Sequence, residues 1–245
     1  LGVKISIRDL HAGYGAVQVL HGVSMEVRDG ETLALLGTNG NGKSTLMKCL
    51  IGDVRPTRGQ ITLEIDDQIF DLSTMTFEQI VNYGISLVPE GRRLFPRLTV
   101  EDNLLLGAYR KAARNSISTN IEYCYEAFPI LKERRRQLAG SMSGGQQQML
   151  ALARAIMSSP RILLVDEPSV GLAPIMVTQA ISKIGELKER FGLTVVMAEQ
   201  NFQEAMRIAD RGYVLVHGVV AFAAESAEQL KNSELITQLY LGSEA

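Results

Sequence analysis

The sequence predicts an α/β protein: a mostly parallel sheet flanked by helices, an antiparallel β subdomain at the amino end and a helical insertion near the middle. Three observations predict it. From ISLVP onward, short apolar runs (RILLVD, LTVVMA, YVLV) alternate with segments whose apolar residues recur at i, i+3 and i+4, the pattern of strands joined by crossover helices. Before residue 95, VKISIRDL, VSMEV, ITLEI and QIFDL are strand-like between turn signals such as GYG and RDG. From about 95 to 140, helix formers and charges dominate and no strand run occurs. The expected organisation is a single domain over 1–245, with 1–94 and 141–245 forming the core and β subdomain, and 95–140 the helical subdomain.

Composition bounds the function classes. The 245 residues are 46% hydrophobic, enough for one large core. A net charge of -2 gives no global attraction to nucleic acid. Cys49 and Cys124 lie far apart without metal-ligand spacing, so both are expected to be buried thiols and no disulfide is expected. The start, LGVKISIRDL, reads as a strand and not as a signal peptide. No apolar run is long enough to span a bilayer. A cytoplasmic location is expected, with any membrane role supplied by a partner.

In chain order, ETLALLG is a buried strand and STLMKCLIG a helix ending at Gly52. TFEQIVNYG is a short helix and ISLVP a buried strand. VEDNLLLGAYRKAARN and IEYCYEAFPILKERRRQLAG are helical. QQQMLALARAIMSS follows MSGGQ as a helix, RILLVDEP is a strand, and PIMVTQAISKIGELKERF an amphipathic helix. LTVVMA is a strand that stops at Glu199, Gln200 and Asn201, and NFQEAMRIA is a helix. Strand-like YVLVHGVVAF and two short helices close the chain.

The strongest chemical signal is LALLGTNGNGKSTLMKCL. Gly37, Gly42, Lys43 and Ser44 match G-x-x-x-x-G-K-[ST], between a buried strand and a helix as the mechanism requires. Over Gly37, Thr38, Asn39, Gly40, Asn41, Gly42, Lys43, Ser44 and Thr45, glycines let backbone N–H groups turn inward around phosphate oxygens. The helix N-terminus adds favourable partial charge. Lys43 can reach β and γ phosphates, and the Ser44 hydroxyl can coordinate Mg²⁺. These residues predict a P-loop NTPase core. In RILLVDEP, Asp166 ends a buried strand where it can hold Mg²⁺ through water, and Glu167 can orient or deprotonate an attacking water.

At this point the chain resembles the ATP-binding cassette (ABC) ATPases over essentially its whole length. MSGGQQQ is similar to that family's signature, which implies that Ser143, Gly144, Gly145 and Gln146 contact nucleotide held by an opposite subunit. SVGLAP is similar to the family's D-loop, which crosses the dimer interface, and Tyr14 in GYG matches the aromatic that stacks on adenine. Two positions depart from the common pattern: Glu90 stands where a glutamine usually touches Mg²⁺, and Gln200 where a histidine usually bonds the γ-phosphate. Gln200 can still donate a hydrogen bond but carries no charge. VPEGRRLFPRLTVEDNLLLGAY, DEPSVGLAP, AEQNFQEAMRIADRGYVL and the ending LYLG resemble the LivF-type ATPases of branched-chain amino-acid importers, in which Glu and Gln at those positions are usual. The resemblance implies ATP and Mg²⁺ as ligands and Glu167, Gln200 and Lys43 as catalytic residues. It implies Ser44, Glu90 and Asp166 at the metal. Implied partners are a second related ATPase (or a second copy of the chain), two membrane permeases and, indirectly, a periplasmic solute-binding protein. The chain would then lie on the inner face of a bacterial cell membrane.

Other readings stand beside this one: the ATPase of a urea or amide importer, of a lipopolysaccharide-type exporter, or a regulatory nucleotide-binding subunit with little turnover. An ABC protein of DNA repair or translation would carry long coiled-coil insertions or a second cassette, and this chain has neither. His11 and His21 are expected to be exposed or turn residues, and Arg134, Arg135 and Arg136 a solvated helix face. Arg92 and Arg93 read equally as an exposed loop or a coupling element. Leu104, Leu105 and Leu106 are expected in the core of the helical subdomain. Thr38 and Asn41, where Pro and Ala are commoner in the family, are expected to be neutral to the turn.

Overall fold

A computed structural model of the chain describes residues 2–233 and 236. An antiparallel hairpin of β1 (Val3–Tyr14) and β2 (Val17–Val27) opens it, followed by β3 (Thr32–Leu36) and helix α1 (Lys43–Leu50). Next come β4 (Arg58–Ile65), β5 (Gln68–Asp71), α2 (Phe77–Asn82) and β6 (Ile85–Val88). Four helices follow without an intervening strand: α3 (Val100–Gly107), α4 (Lys111–Arg114), α5 (Ile117–Ala127) and α6 (Pro129–Glu133). The chain returns through α7 (Gly144–Ile156), β7 (Ile162–Asp166), α8 (Pro174–Phe191), β8 (Thr194–Glu199) and α9 (Phe202–Ala205). It continues with β9 (Arg211–Val216), β10 (Val219–Ala224) and α10 (Ala227–Lys231).

Two sheets result. One is antiparallel, in the order β2-β1-β4-β5; the other runs β10-β9-β3-β8-β7-β6 and is parallel except for β10. The central strands are buried on both faces, which is why they read as unbroken apolar runs. Their side chains divide by parity: Ala34, Leu36, Leu163 and Val165 face the core shared with α3, α7 and α8, while Leu33, Leu35, Ile162 and Leu164 face α1 and the antiparallel sheet. The period of two along a strand therefore builds two cores, and the parallel sheet separates them.

Helix starts follow local chemistry. Thr76, Thr99 and Ser143 each accept from the backbone N–H three residues on, and Gln79, Asp102 and Gln146 reach back to complete capping boxes. Pro174 opens α8, and Gly192 closes it in the left-handed conformation, φ 60°.

The structure meets some sequence expectations and departs from others. GYG is not a turn throughout, because β1 runs through Gly13 to Tyr14 and the hairpin tip lies beyond it. His21 is exposed, as expected, while His11 is half-buried and bonds Asp9; both lie opposite each other on β1 and β2 and not in a turn. Leu104 is fully buried, but Leu105 and Leu106 are 42% and 46% exposed, since only one face of α3 meets α7. Arg134, Arg135 and Arg136 are exposed, but they form the turn after α6 and not a helix face. Cys49 and Cys124 are buried free thiols whose pKa burial pushes up to about 12. The ending LYLG and the second of the closing helices lie outside the described residues.

Candidate functional site

The site lies at the carboxyl ends of β3, β6, β7 and β8, where open parallel sheets bind ligands. β3 delivers the chain into the loop 37–42, and α1 begins at Lys43. Gly42 holds φ 96° against β2; a Cβ there would lie 2.7 Å from Leu20 Cδ2, so only glycine lets the loop turn this closely. No side chain caps α1, leaving its first N–H groups directed at the loop's hollow. Thr38, Asn39 and Gly40 are exposed, whereas Asn41, Gly42, Lys43 and Thr45 are buried.

Lys43 is the hub. Its ammonium donates to the Gly37 carbonyl (2.8 Å) and the Thr38 carbonyl (3.2 Å) and pairs with Glu167 Oε1 at 2.9 Å. All three ammonium hydrogens therefore have acceptors. Ser44 Oγ donates to Asp166 Oδ1 at 3.1 Å. Burial pushes the Asp166 carboxyl up to about 6; the Ser44 hydroxyl and Lys43 oppose that rise, and the charges of Glu167 and the exposed Glu90 reinforce it. Glu167 sits at φ 47°, a left-handed conformation unusual for a non-glycine residue, with its N–H bonded to the Ala198 carbonyl at 2.9 Å. β7 and β8 thus aim the carboxylates of Asp166 and Glu167 at the phosphate loop.

These oxygens suit a hard divalent cation. A hydroxyl and a carboxylate oxygen lie together, and the described residues hold no cluster of three or more His, Cys, Asp or Glu. Mg²⁺ is commonly held by one or two protein oxygens together with substrate phosphates and water.

The remaining predicted residues surround this centre unevenly. Gln200 follows β8 directly, half-buried. Tyr14 is 46% exposed, and its hydroxyl accepts from Lys48 of α1 at 3.3 Å. Ser143, Gly144, Gly145 and Gln146 are not brought to the phosphate loop: Ser143 and Gln146 satisfy each other in the capping box of α7, and among the described residues no hydrogen bond joins them to residues 37–45. Gly145 packs closely on Met176 of α8: a Cβ there would lie 2.2 Å from Met176 Cε, so the methionine side chain would have to move.

Three residues make contacts that the sequence does not show. Asn41 is not neutral to the turn: its amide donates to Thr38 Oγ1 (2.8 Å), and its oxygen accepts from His217 N–H (2.9 Å), tying the loop to the β9–β10 turn. Arg92 is half-buried, and its guanidinium reaches the Gly171 carbonyl (3.4 Å) and Gln147 (3.5 Å), so it bridges the Glu90 loop to α7 and to the segment after Glu167. Glu199 is fully buried at the end of β8. The sequence signal for it is an acid closing an apolar run.

Comparison with known proteins agrees with this architecture. The family model described as ABC transporter matches residues 20–170. A cassette fold with a phosphate loop, Asp166 and Glu167 at one strand edge defines a nucleotide-hydrolysing subunit of that class. The chain belongs to the ABC transporter family, as an ATP-binding cassette of the LivF type. It is 45% identical over 229 residues to the high-affinity branched-chain amino acid transport ATP-binding protein BraG of Pseudomonas aeruginosa, covering 94% of this chain and 95% of that protein. It is 34% identical to the probable branched-chain amino acid transport ATP-binding protein LivF of Archaeoglobus fulgidus, covering 95% and 96%. It is 30% identical to the lipopolysaccharide export system ATP-binding protein LptB of Haemophilus influenzae, covering 97% of each. In fold it is similar to a nucleotide-free ATP-binding cassette of an ABC transporter, with a TM-score of 0.82 and 24% identity over 98% of this chain and 99% of that one.

Proposed function

We propose that this transporter ATPase energises import of branched-chain amino acids by closing and reopening a nucleotide-bound dimer. One observation supports the mechanism: Lys43 pairs with Glu167 and Ser44 bonds Asp166, while among the described residues no hydrogen bond joins Ser143–Gln146 to residues 37–45 of the same subunit; the first group would be half of a hydrolytic site. A second cassette supplying its own signature helix would complete the site, and the reverse contact would complete the partner's.

Within that site, ATP phosphates would displace Glu167 as an acceptor of Lys43. The freed carboxylate would then orient or deprotonate the attacking water. Ser44, Asp166 and Glu90 are the residues that would hold Mg²⁺, which when bound neutralises charge on the phosphates. Gln200 would donate its amide to the γ-phosphate, and Tyr14 would cover the adenine face. Positioning and charge stabilisation carry most of the rate in such chemistry. Hydrolysis removes the contact that held the dimer closed.

The solute assignment rests on the relatives: identity is 45% to the BraG protein against 30% to LptB. The transport partners are permeases, with a periplasmic binding protein behind them and a second cassette beside this one. No helix among the described residues is long and apolar enough to cross a membrane, so attachment to the membrane's inner face would be through the permeases. A groove of about 430 Å³ suits that contact. It lies between the core and the 95–140 helical subdomain and is lined by Phe77, Leu87, Phe95, Leu106 and Tyr109. Phe77, Phe95, Leu106 and Tyr109 are each about half exposed.

Steady-state ATP hydrolysis by the chain, alone and mixed with the related ATPase, tests the motor reading. Turnover should fall about 100-fold or more in Glu167→Gln. Turnover that survives this change, or nucleotide binding without turnover in either mixture, would contradict it.

A further inference from the structure

The loop that carries Gln200 and the segment after Glu167 are joined by one buried carboxylate. Glu199 has no solvent exposure. Its Oε1 accepts from the Ser169 N–H at 3.0 Å; its Oε2 accepts from the Ser169 hydroxyl at 2.8 Å, the Gln200 N–H at 3.1 Å and the Asn201 N–H at 3.2 Å. Four donors from two different loops therefore converge on two oxygens. The same carboxylate fixes the backbone on which Gln200 stands and the first residue of the segment 169–172. A cavity of about 630 Å³ lies alongside, lined by Ser169, Gly171, Leu172, Gln200, Asn201 and Phe202, so these loops are not locked by apolar packing on that side.

A carboxylate placed here is costly unless its interactions do something that an apolar side chain cannot. Burial pushes the Glu199 carboxyl above its ordinary range, and the bonds from Ser169 and Asn201 only partly offset this. An apolar residue at the same position would avoid that cost and still complete β8. What it would not do is hold the two loops together.

We propose that Glu199 is a positioning residue that makes the Gln200 loop and the Ser169–Leu172 segment move as one unit, so that the state of one subunit's γ-phosphate site reaches the surface facing the other subunit. This rests on the dimer reading above, in which Gln200 meets the γ-phosphate, and on the resemblance of SVGLAP to the loop that crosses the dimer interface. The bonds of Glu199 run to Ser169, Gln200 and Asn201, so it would act through the loops that carry them.

Glu199→Gln tests this with little change in shape. It replaces one acceptor with an amide donor facing donors, which disrupts the four-bond arrangement. Steady-state hydrolysis by the full chain with its partner cassette should show kcat lowered about tenfold, KM for ATP within about twofold and a Hill coefficient moved toward one. Ser169→Ala, which removes only the hydroxyl, should give the same split at about threefold, and the double variant should be no worse than Glu199→Gln alone. A lowered melting temperature with kcat and Hill coefficient unchanged would make Glu199 a purely structural residue and overturn the inference, as would additive effects in the double variant. Should Glu199→Gln fail to fold, Ser169→Ala decides by the same criterion. Glu167→Gln run in parallel separates the two claims. If it fails to dimerise with ATP, the dimer reading fails and takes this inference with it. If it dimerises while Glu199→Gln turns over normally, only this inference fails.

Discussion

Lys43 and Glu167 form a buried ion pair, with Nζ 2.9 Å from Oε1 and both side chains at most 7% exposed. The phosphate loop and the end of β7 are therefore coupled before any substrate arrives. Such pairs contribute little net stability when intact, but breaking one leaves a charge buried without its partner. Lys43→Ala should destabilise the nucleotide-free protein by about 3 kcal/mol. Glu167→Gln, which keeps an oxygen toward Lys43, should cost only about 1 kcal/mol. Urea denaturation of the two variants checks the asymmetry, and equal costs would contradict it.

Asp166 yields a pH prediction. Its folded pKa is about 6 against 3.8 for the free side chain. A raised acid means that the folded state keeps a proton the unfolded chain has released. The associated stability is present below pH 4, declines as pH rises and is gone above pH 6. At pH 7.5 the wild type carries the whole penalty, at most about 3 kcal/mol from the size of the shift. Asp166→Asn should be the more stable protein at pH 7.5 without nucleotide, and its advantage should shrink toward pH 4. Denaturation midpoints at the two pH values measure this.

The groove beneath α3 predicts a separation of functions. Leu106 is 46% exposed and distant in the chain from every hydrolytic residue. Leu106→Asp should leave the isolated chain's ATPase within about twofold and its stability within about 1 kcal/mol. It should weaken association with the permeases about tenfold or more. Co-purification with the permease pair reads this, and undiminished association would move the docking surface elsewhere.

Much of this was legible in the sequence, for physical reasons that differ by element. Buried parallel strands announce themselves as apolar runs, so ILLVD and TVVMA were placed almost to the residue, and the phosphate loop carries its own spacing. What was not legible depends on contacts between distant segments. Leu105 and Leu106 have the same composition as Leu104, and only the packing of α3 on α7 decides which of the three is buried. Asn41 looked neutral because its partner His217 lies 176 residues away. Glu199 read as the end of a strand because its four donors belong to loops whose meeting depends on the β7–β8 pairing.

In the proposed mechanism each site is completed by a second cassette. Light scattering of Glu167→Gln at saturating Mg·ATP, alone and mixed with the related ATPase, tests it most directly. The expected result is a nucleotide-dependent species of twice the 26.9 kDa chain mass, or the sum of the two cassettes, that dissociates when ATP is replaced by ADP. A protein that stays monomeric in both conditions would contradict it.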